Sequence, residues 1–131
     1  MLNIQTLIAQ AYSAFNRRDI DSALALMSET VSWPKASEGG RVVGKEEIWS
    51  YWTRQWAEFD PRVEPLEVID EAGGVAEVRV HQVVRSLGGE VLFDGDVWHV
   101  YRIADGLIER MDLKESEMGL EGTPSEAFSR R

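Results

Sequence analysis

Two side chains in this 131-residue sequence have an ordinary pKa near neutrality, His81 and His99. An imidazole of that kind is suited to general acid/base work. Other chemistries fall away. The chain has no cysteine, so thiol nucleophiles, disulfides and cysteine-bearing zinc sites are excluded. The two histidines have no third ligand at a diagnostic spacing, and neither a metal nor a cofactor is expected. No glycine-rich loop carries the lysine and serine or threonine of a phosphate cradle, and no serine sits in a nucleophile elbow.

What an imidazole can do depends on the face it occupies. Beyond Pro61 the hydrophobic period changes from helical to alternating, and strands are predicted over 62–69, 75–86, 91–103 and 107–115. A Gly88-Gly89 hairpin turn pairs Val78 with His99, Val80 with Val97 and Val84 with Phe93, and Tyr101 and Ile103 continue that face. This face is nearly all apolar and should meet helices. His99 is its one titratable ring, and burial would lower its pKa. The opposite face sets Glu77, Arg79, His81 and Arg85 across from Val100, Trp98, Asp96 and Leu92. There His81 is expected to pair with Asp96. Trp98, among charged neighbours including Arg79 and His81, reads as a dimer contact.

The last strand has two registers. A simple Asp105-Gly106 hairpin places Asp112 across from His99, where it would orient the ring, but it also turns Arg110 and Lys114 inward. A three-residue turn with a glycine bulge instead sends Leu107, Met111 and Leu113 inward. The hydrophobic pattern favours the bulge and makes Met111 a wall residue.

The N-terminal half must supply the other wall. Ile4, Leu7, Ile8, Ala11 and Phe15 recur at helical spacing. Asp19 is a candidate N-cap for a second short helix through Met27. An extended piece, 30–33, ends at Pro34, and Ser37-Glu38-Gly39-Gly40 is a turn cluster. A brief strand over 41–43 precedes a third helix, roughly Lys45 to Phe59, with Ile48, Trp52, Trp56 and Phe59 in one stripe and Trp49 beside it. Four of the five tryptophans fall between Trp33 and Trp56, either as the wall of an apolar cavity or as ordinary core packing.

Helices followed by an antiparallel meander make an α+β layout. A single domain is expected over 1–120, with a loose tail over 121–131. The net charge of −9 repels phosphate backbones, so no nucleic-acid partner is expected. No stretch has the length and apolarity of a membrane span, and no basic start precedes an apolar run as in a signal peptide. The placement expected is cytoplasmic, with no membrane partner.

The stretches "AFNRRDIDSALALMSETVSW", "GKEEIWSYWTRQW", "VWHVYRIADGLIERMDLKES" and "EMGLEG", in this order, resemble the SnoaL-like branch of the nuclear-transport-factor-2-like superfamily over about Ile4 to Gly122. The resemblance implies a cone-shaped α+β domain with three helices packed in a strongly curved, mixed or antiparallel sheet. It also implies a pocket between helices and sheet, and homodimers through the sheet's outer face. The superfamily includes isomerases, polyketide cyclases, epoxide hydrolases, dehydratases and non-enzymatic binding domains. In ketosteroid-isomerase-like members His99 falls at the place of the oxyanion-site aspartate, and Tyr12 one residue from the donor tyrosine. The base position falls near Pro34 and Lys35, neither of them a carboxylate, so the chain departs from the isomerase pattern there. Glu38 is a substitute base if its loop folds inward. The pocket wall implied comprises Trp33, Tyr51, Trp52, Trp56, Val80, Val97, Tyr101 and Met111. The functions expected are acid/base catalysis on a small hydrophobic molecule, with His99 as acid/base or electrophile and Tyr12 as donor. Alternatives are non-catalytic binding of an apolar metabolite, or a dimeric structural module.

Overall fold

The structure, a computed structural model, describes residues 3–35 and 38–114. The tail expected over 121–131 and Ser37 of the turn cluster lie outside the described residues. Helix α1 (Ile4–Asn16) starts at Asn3, whose side chain accepts a hydrogen bond from the Thr6 amide at 2.7 Å, and buries Leu7, Ile8, Ala11, Tyr12 and Ala14. Arg18 adopts a left-handed backbone (φ 64°). Asp19 then caps α2 (Ile20–Leu24) by accepting from the Ser22 amide at 3.2 Å. The second helix is shorter than expected. Met27 does not end it but opens strand β1 (Met27–Pro34). The Leu26 carbonyl already accepts from the Ile108 amide at 2.9 Å, so pairing with the last strand overrides the helical propensity of this Ala- and Leu-rich stretch.

Strand β2 (Arg41–Val43) lies antiparallel to β1 and leads through Gly44 (φ 94°) into α3 (Lys45–Glu58). Gly44 brings no side-chain cap. Instead Glu47, in the first turn, accepts from the Val43 amide at 2.8 Å. The third helix ends one residue early, and its stripe is rotated from the one expected. Ile48, Tyr51, Trp52 and Gln55 are buried, Trp49 is exposed, and Phe59 belongs to strand β3 (Phe59–Asp70). Strands β4 (Val75–Ser86), β5 (Val91–Ala104) and β6 (Leu107–Lys114) complete a meander.

Among the described residues six strands form one sheet in the order β2-β1-β6-β5-β4-β3. It is mixed, because β1 runs parallel to β6 while the other pairs are antiparallel. The expectation of a cone built by a strongly curved sheet is corrected. The sheet is open and ends at β2 and β3. Pro61 and Pro65 of β3 have no N–H to offer a further strand, and the interior is closed by helices laid on one sheet face.

The β4–β5 register pairs Val78 with His99, Val80 with Val97 and Val84 with Phe93, as the alternation predicts, but by another route. The turn spans Leu87, Gly88 and Gly89, closed by Gly89 N to Ser86 O at 3.0 Å and Ser86 N to Glu90 O at 2.8 Å. Its extra residue shifts the register by one, and a bulge in β5 between Val91 and Phe93 shifts it back. The final turn is the two-residue Asp105-Gly106 form, with both residues at positive φ (54° and 76°). The bulge sits further on, at Glu109, after which Tyr101 pairs with Met111 and His99 with Leu113. The inner residue near the turn is therefore the fully buried Ile108, not Leu107.

Candidate functional site

A cavity of about 100 Å³ lies between α1, α3 and the inner face of the sheet, several times the ~10–15 Å³ that one water needs. His99 lines it from the centre of β5 and retains 6% exposure. Its Nδ1 lies 2.7 Å from the Tyr12 hydroxyl, and the two rings stack at 5.9 Å between centroids. The Tyr101 hydroxyl donates to that of Tyr12 at 2.7 Å. With Tyr101 donating, Tyr12 has its own proton to give to Nδ1, which places the imidazole hydrogen on Nε2. Nε2 has no hydrogen-bond partner among the described residues. Burial lowers the His99 pKa to about 4, so the ring is neutral at pH 7. Burial, followed by the neighbouring Tyr101, raises the Tyr12 pKa well above its usual value. Burial likewise raises that of Tyr101. The site therefore offers a neutral N–H donor whose tautomer is set by two phenols.

Aromatic rings form much of the remaining wall. Trp33 and Trp52 meet edge to face at 5.6 Å, and Trp52 meets Phe15 in the same way at 5.2 Å. Tyr51, Tyr101 and Met111 also line the cavity. Three expected wall residues do not. Val80 and Val97 are packed within the core, and Trp56 is set back against Phe15 and Trp52 with the Arg18 guanidinium 4.9 Å over its ring.

The two candidate carboxylates are elsewhere. Glu38 is held by two hydrogen bonds of 3.0 Å from Arg54 and lies 3.7 Å from Lys35. The Arg54 bonds are the main cause of its lowered pKa. Its carboxylate is thus engaged by the exposed side of α3 and does not line the cavity. Asp112 faces out of the sheet's opposite side because of the Glu109 bulge. It is paired with Arg110 at 2.8 Å and Arg41 at 2.9 Å, with Arg110 the leading cause of its lowered pKa. No carboxylate lines the cavity among the described residues, and among them no three His, Asp or Glu side chains gather as a metal site.

Arg79, His81 and Trp98 lie on the outer sheet face. His81 bonds Asp94, not Asp96, at 2.7 Å. Asp96 is engaged by Arg79 at 3.0 Å, leaving the diagonal aspartate to the histidine. That bond is the leading cause of the raised His81 pKa. Trp98 is half-buried beneath the Lys114 ammonium, 5.7 Å from its ring.

Two polar cavity residues escaped the sequence reading, Gln55 and Gln82. Both are 8% exposed and both line the cavity. Their signal was positional. Gln82 shares the inward phase of Val78, Val80 and Val84, and Gln55 follows Ile48, Tyr51 and Trp52 at helical spacing. A search for titratable groups passes over amides.

No helix among the described residues is long and apolar enough to cross a membrane. No curated protein matches the sequence. Among solved structures, a nuclear-transport-factor-2-like protein of unknown function from Burkholderia pseudomallei is 25% identical, with 87% of this chain and 91% of that chain covered and a TM-score of 0.75. TerC, co-crystallised with polyporic acid, is 27% identical over 84% of this chain and 88% of its own, with a TM-score of 0.74. A candidate polyketide cyclase from Xanthomonas campestris is 24% identical over 86% and 89%, with a TM-score of 0.69, and shares the fold. The family model described as the SnoaL-like domain matches residues 8–111, and the chain belongs to that family.

Proposed function

We propose that this chain is an acid/base enzyme of the isomerase, cyclase or dehydratase kind, acting on a small hydrophobic molecule that carries a carbonyl oxygen. The observation that supports this reading is the Tyr101–Tyr12–His99 hydrogen-bonded chain at the edge of an otherwise mostly apolar cavity. The Nε2–H of His99 donates to the carbonyl oxygen and stabilises the negative charge that grows there as a water molecule beside the substrate takes up the proton of a neighbouring C–H. Such a donor is strongest where water is excluded. With no carboxylate in the wall among the described residues, the site suits a substrate whose proton is already acidic, as on a carbon between two carbonyls. TerC, crystallised with polyporic acid, supports a small-molecule ligand for this fold.

The test is deuterium exchange at C2 of benzoylacetone, followed by NMR. The wild-type protein is expected to accelerate it, and His99→Phe to lose about 10²-fold of that acceleration while retaining the probe's affinity within a few-fold. Exchange no faster than in buffer, with the probe bound, rejects the enzymatic reading. It favours the second one, a non-catalytic binding domain, to which the lack of a lining carboxylate among the described residues also points. The outer sheet face with Arg79, His81 and Trp98 is proposed as a homodimer contact.

A further inference from the structure

We infer that the ligand has two polar ends. Besides the oxygen that meets His99, it carries a neutral group that both donates and accepts hydrogen bonds, a hydroxyl or carboxamide, and this group is read by Gln82 and Gln55. The inference rests on the reading of His99 above and adds a second recognition pole to the same cavity.

A glutamine with only 8% of its surface exposed would ordinarily have its amide paired, because an unpaired buried amide is costly. No hydrogen bond reaches the side-chain amide of Gln55 or Gln82 among the described residues. The sealed and unpaired side-chain atoms among those residues are Ser28 Oγ and Trp56 Nε1, so the two amides open onto the cavity they line. Gln82 pairs in register with Gly95. The Phe93 ring lies over that glycine, 3.4 Å from where a Cβ would stand. His99 lies four residues further along β5, and at about 3.4 Å per residue the two rows are roughly 14 Å apart. The poles are thus separated along the strand, with the Trp33, Trp52 and Phe15 rings among the walls of the same cavity.

The end group must be neutral. Among the described residues no charged side chain lines the cavity, so a carboxylate there would lose its hydration without a counter-charge. A carboxamide side chain offers both a C=O and an NH₂, which matches a group of mixed donor and acceptor character better than a pure acceptor.

The experiment compares three rigid probes by calorimetry: 4-acetylbiphenyl and its 4′-hydroxy and 4′-carboxylate derivatives. The wild-type protein is expected to bind the hydroxy probe at least tenfold more tightly than the parent, and the carboxylate more weakly than either. Gln82→Leu and Gln55→Leu are tested separately. At least one should bring the hydroxyl preference to within about twofold while leaving the parent's affinity unchanged and the melting temperature equal or higher, since an unpaired amide has been removed. No hydroxyl preference in the wild type, or a preference that survives both substitutions, overturns the proposal. So does a variant that weakens all three probes equally and melts lower, since that is a packing role. The His99 reading fails separately. His99→Phe that leaves the acetyl probes' affinity and benzoylacetone exchange unchanged, while the glutamine variants lose the hydroxyl preference, sinks His99 and keeps the second pole.

Discussion

The His99 imidazole links the site to the stability of the fold. In the unfolded chain it takes up a proton near its usual pKa of 6.5, and in the folded chain only at about 4. Between those values the unfolded state holds a proton that the folded state excludes. Stability is therefore complete above about pH 6.5 and declines as pH falls toward 4, by about 1.4 kcal/mol per unit and roughly 3 kcal/mol over the window. His81 has the opposite sign. Its pKa is raised, so its contribution is present at low pH and lost as pH rises through its folded value, and its surface position screens the effect. Urea unfolding at pH 7, 5.5 and 4.5 separates the two when wild type is compared with His99→Gln. The stability gap between them should narrow as pH falls, and a gap independent of pH would mean that His99 is not buried in neutral form. Strand alternation alone made the inward aim of His99 legible, because a period of two decides a face. It could not show Tyr101 donating to Tyr12. That contact joins α1 to β5 across 89 positions and depends on how the helix is rotated over the sheet.

At the level of elements, the site depends on where extra residues are inserted. Two bulges, one in β5 and one at Glu109 in β6, keep the apolar phase of the sheet on the helical side. The sequence assigns the β4–β5 hairpin a plain two-residue turn and the last hairpin an insertion in its turn, yet turns Met111, Leu113 and His99 inward as the structure does, since burial selects phase irrespective of where the odd residue sits. Phase is therefore legible from a strand, while the location of the bulge is not. Deleting Glu109 tests this. It removes the extra residue, so Arg110 follows Ile108 directly and the pairs Ile103–Ile108, Arg102–Arg110 and Tyr101–Met111 continue without a bulge. Met111 and Leu113 should stay inward, and the variant, like Glu109→Ala, is expected to lie within about 1 kcal/mol of wild type by urea unfolding. A loss of about 3 kcal/mol or more in the deletion alone would show that the extra residue, and not burial of the apolar face, holds the phase. The shortened α2 and the open sheet were hidden for a related reason. Both are decided by which strands meet, β1 with β6 in one case and the proline-bearing edge β3 in the other.

For the whole molecule, the inner sheet face is occupied by helices and cavity, and the outer face remains. It mixes apolar residues, with Val83, Trp98 and Val100 half-buried, and ion pairs such as Arg79–Asp96 and Lys114–Glu77. If two copies meet there, two chains of net charge −9 must be brought together. Local pairs of opposite sign then set orientation, but the long-range field opposes approach. Salt should therefore strengthen the proposed dimer, since at 0.15 M the Debye length is already about 8 Å and the long-range repulsion is screened while the apolar contact is not. Sedimentation equilibrium from 0.02 to 0.5 M NaCl is expected to show tighter association with added salt. Trp98→Glu should be monomeric throughout, with unchanged benzoylacetone exchange, because Trp98 is across the sheet from the cavity. A dimer that loosens with salt would mean that charge pairs hold it together, and a wild-type monomer at all concentrations would leave this face without a second copy.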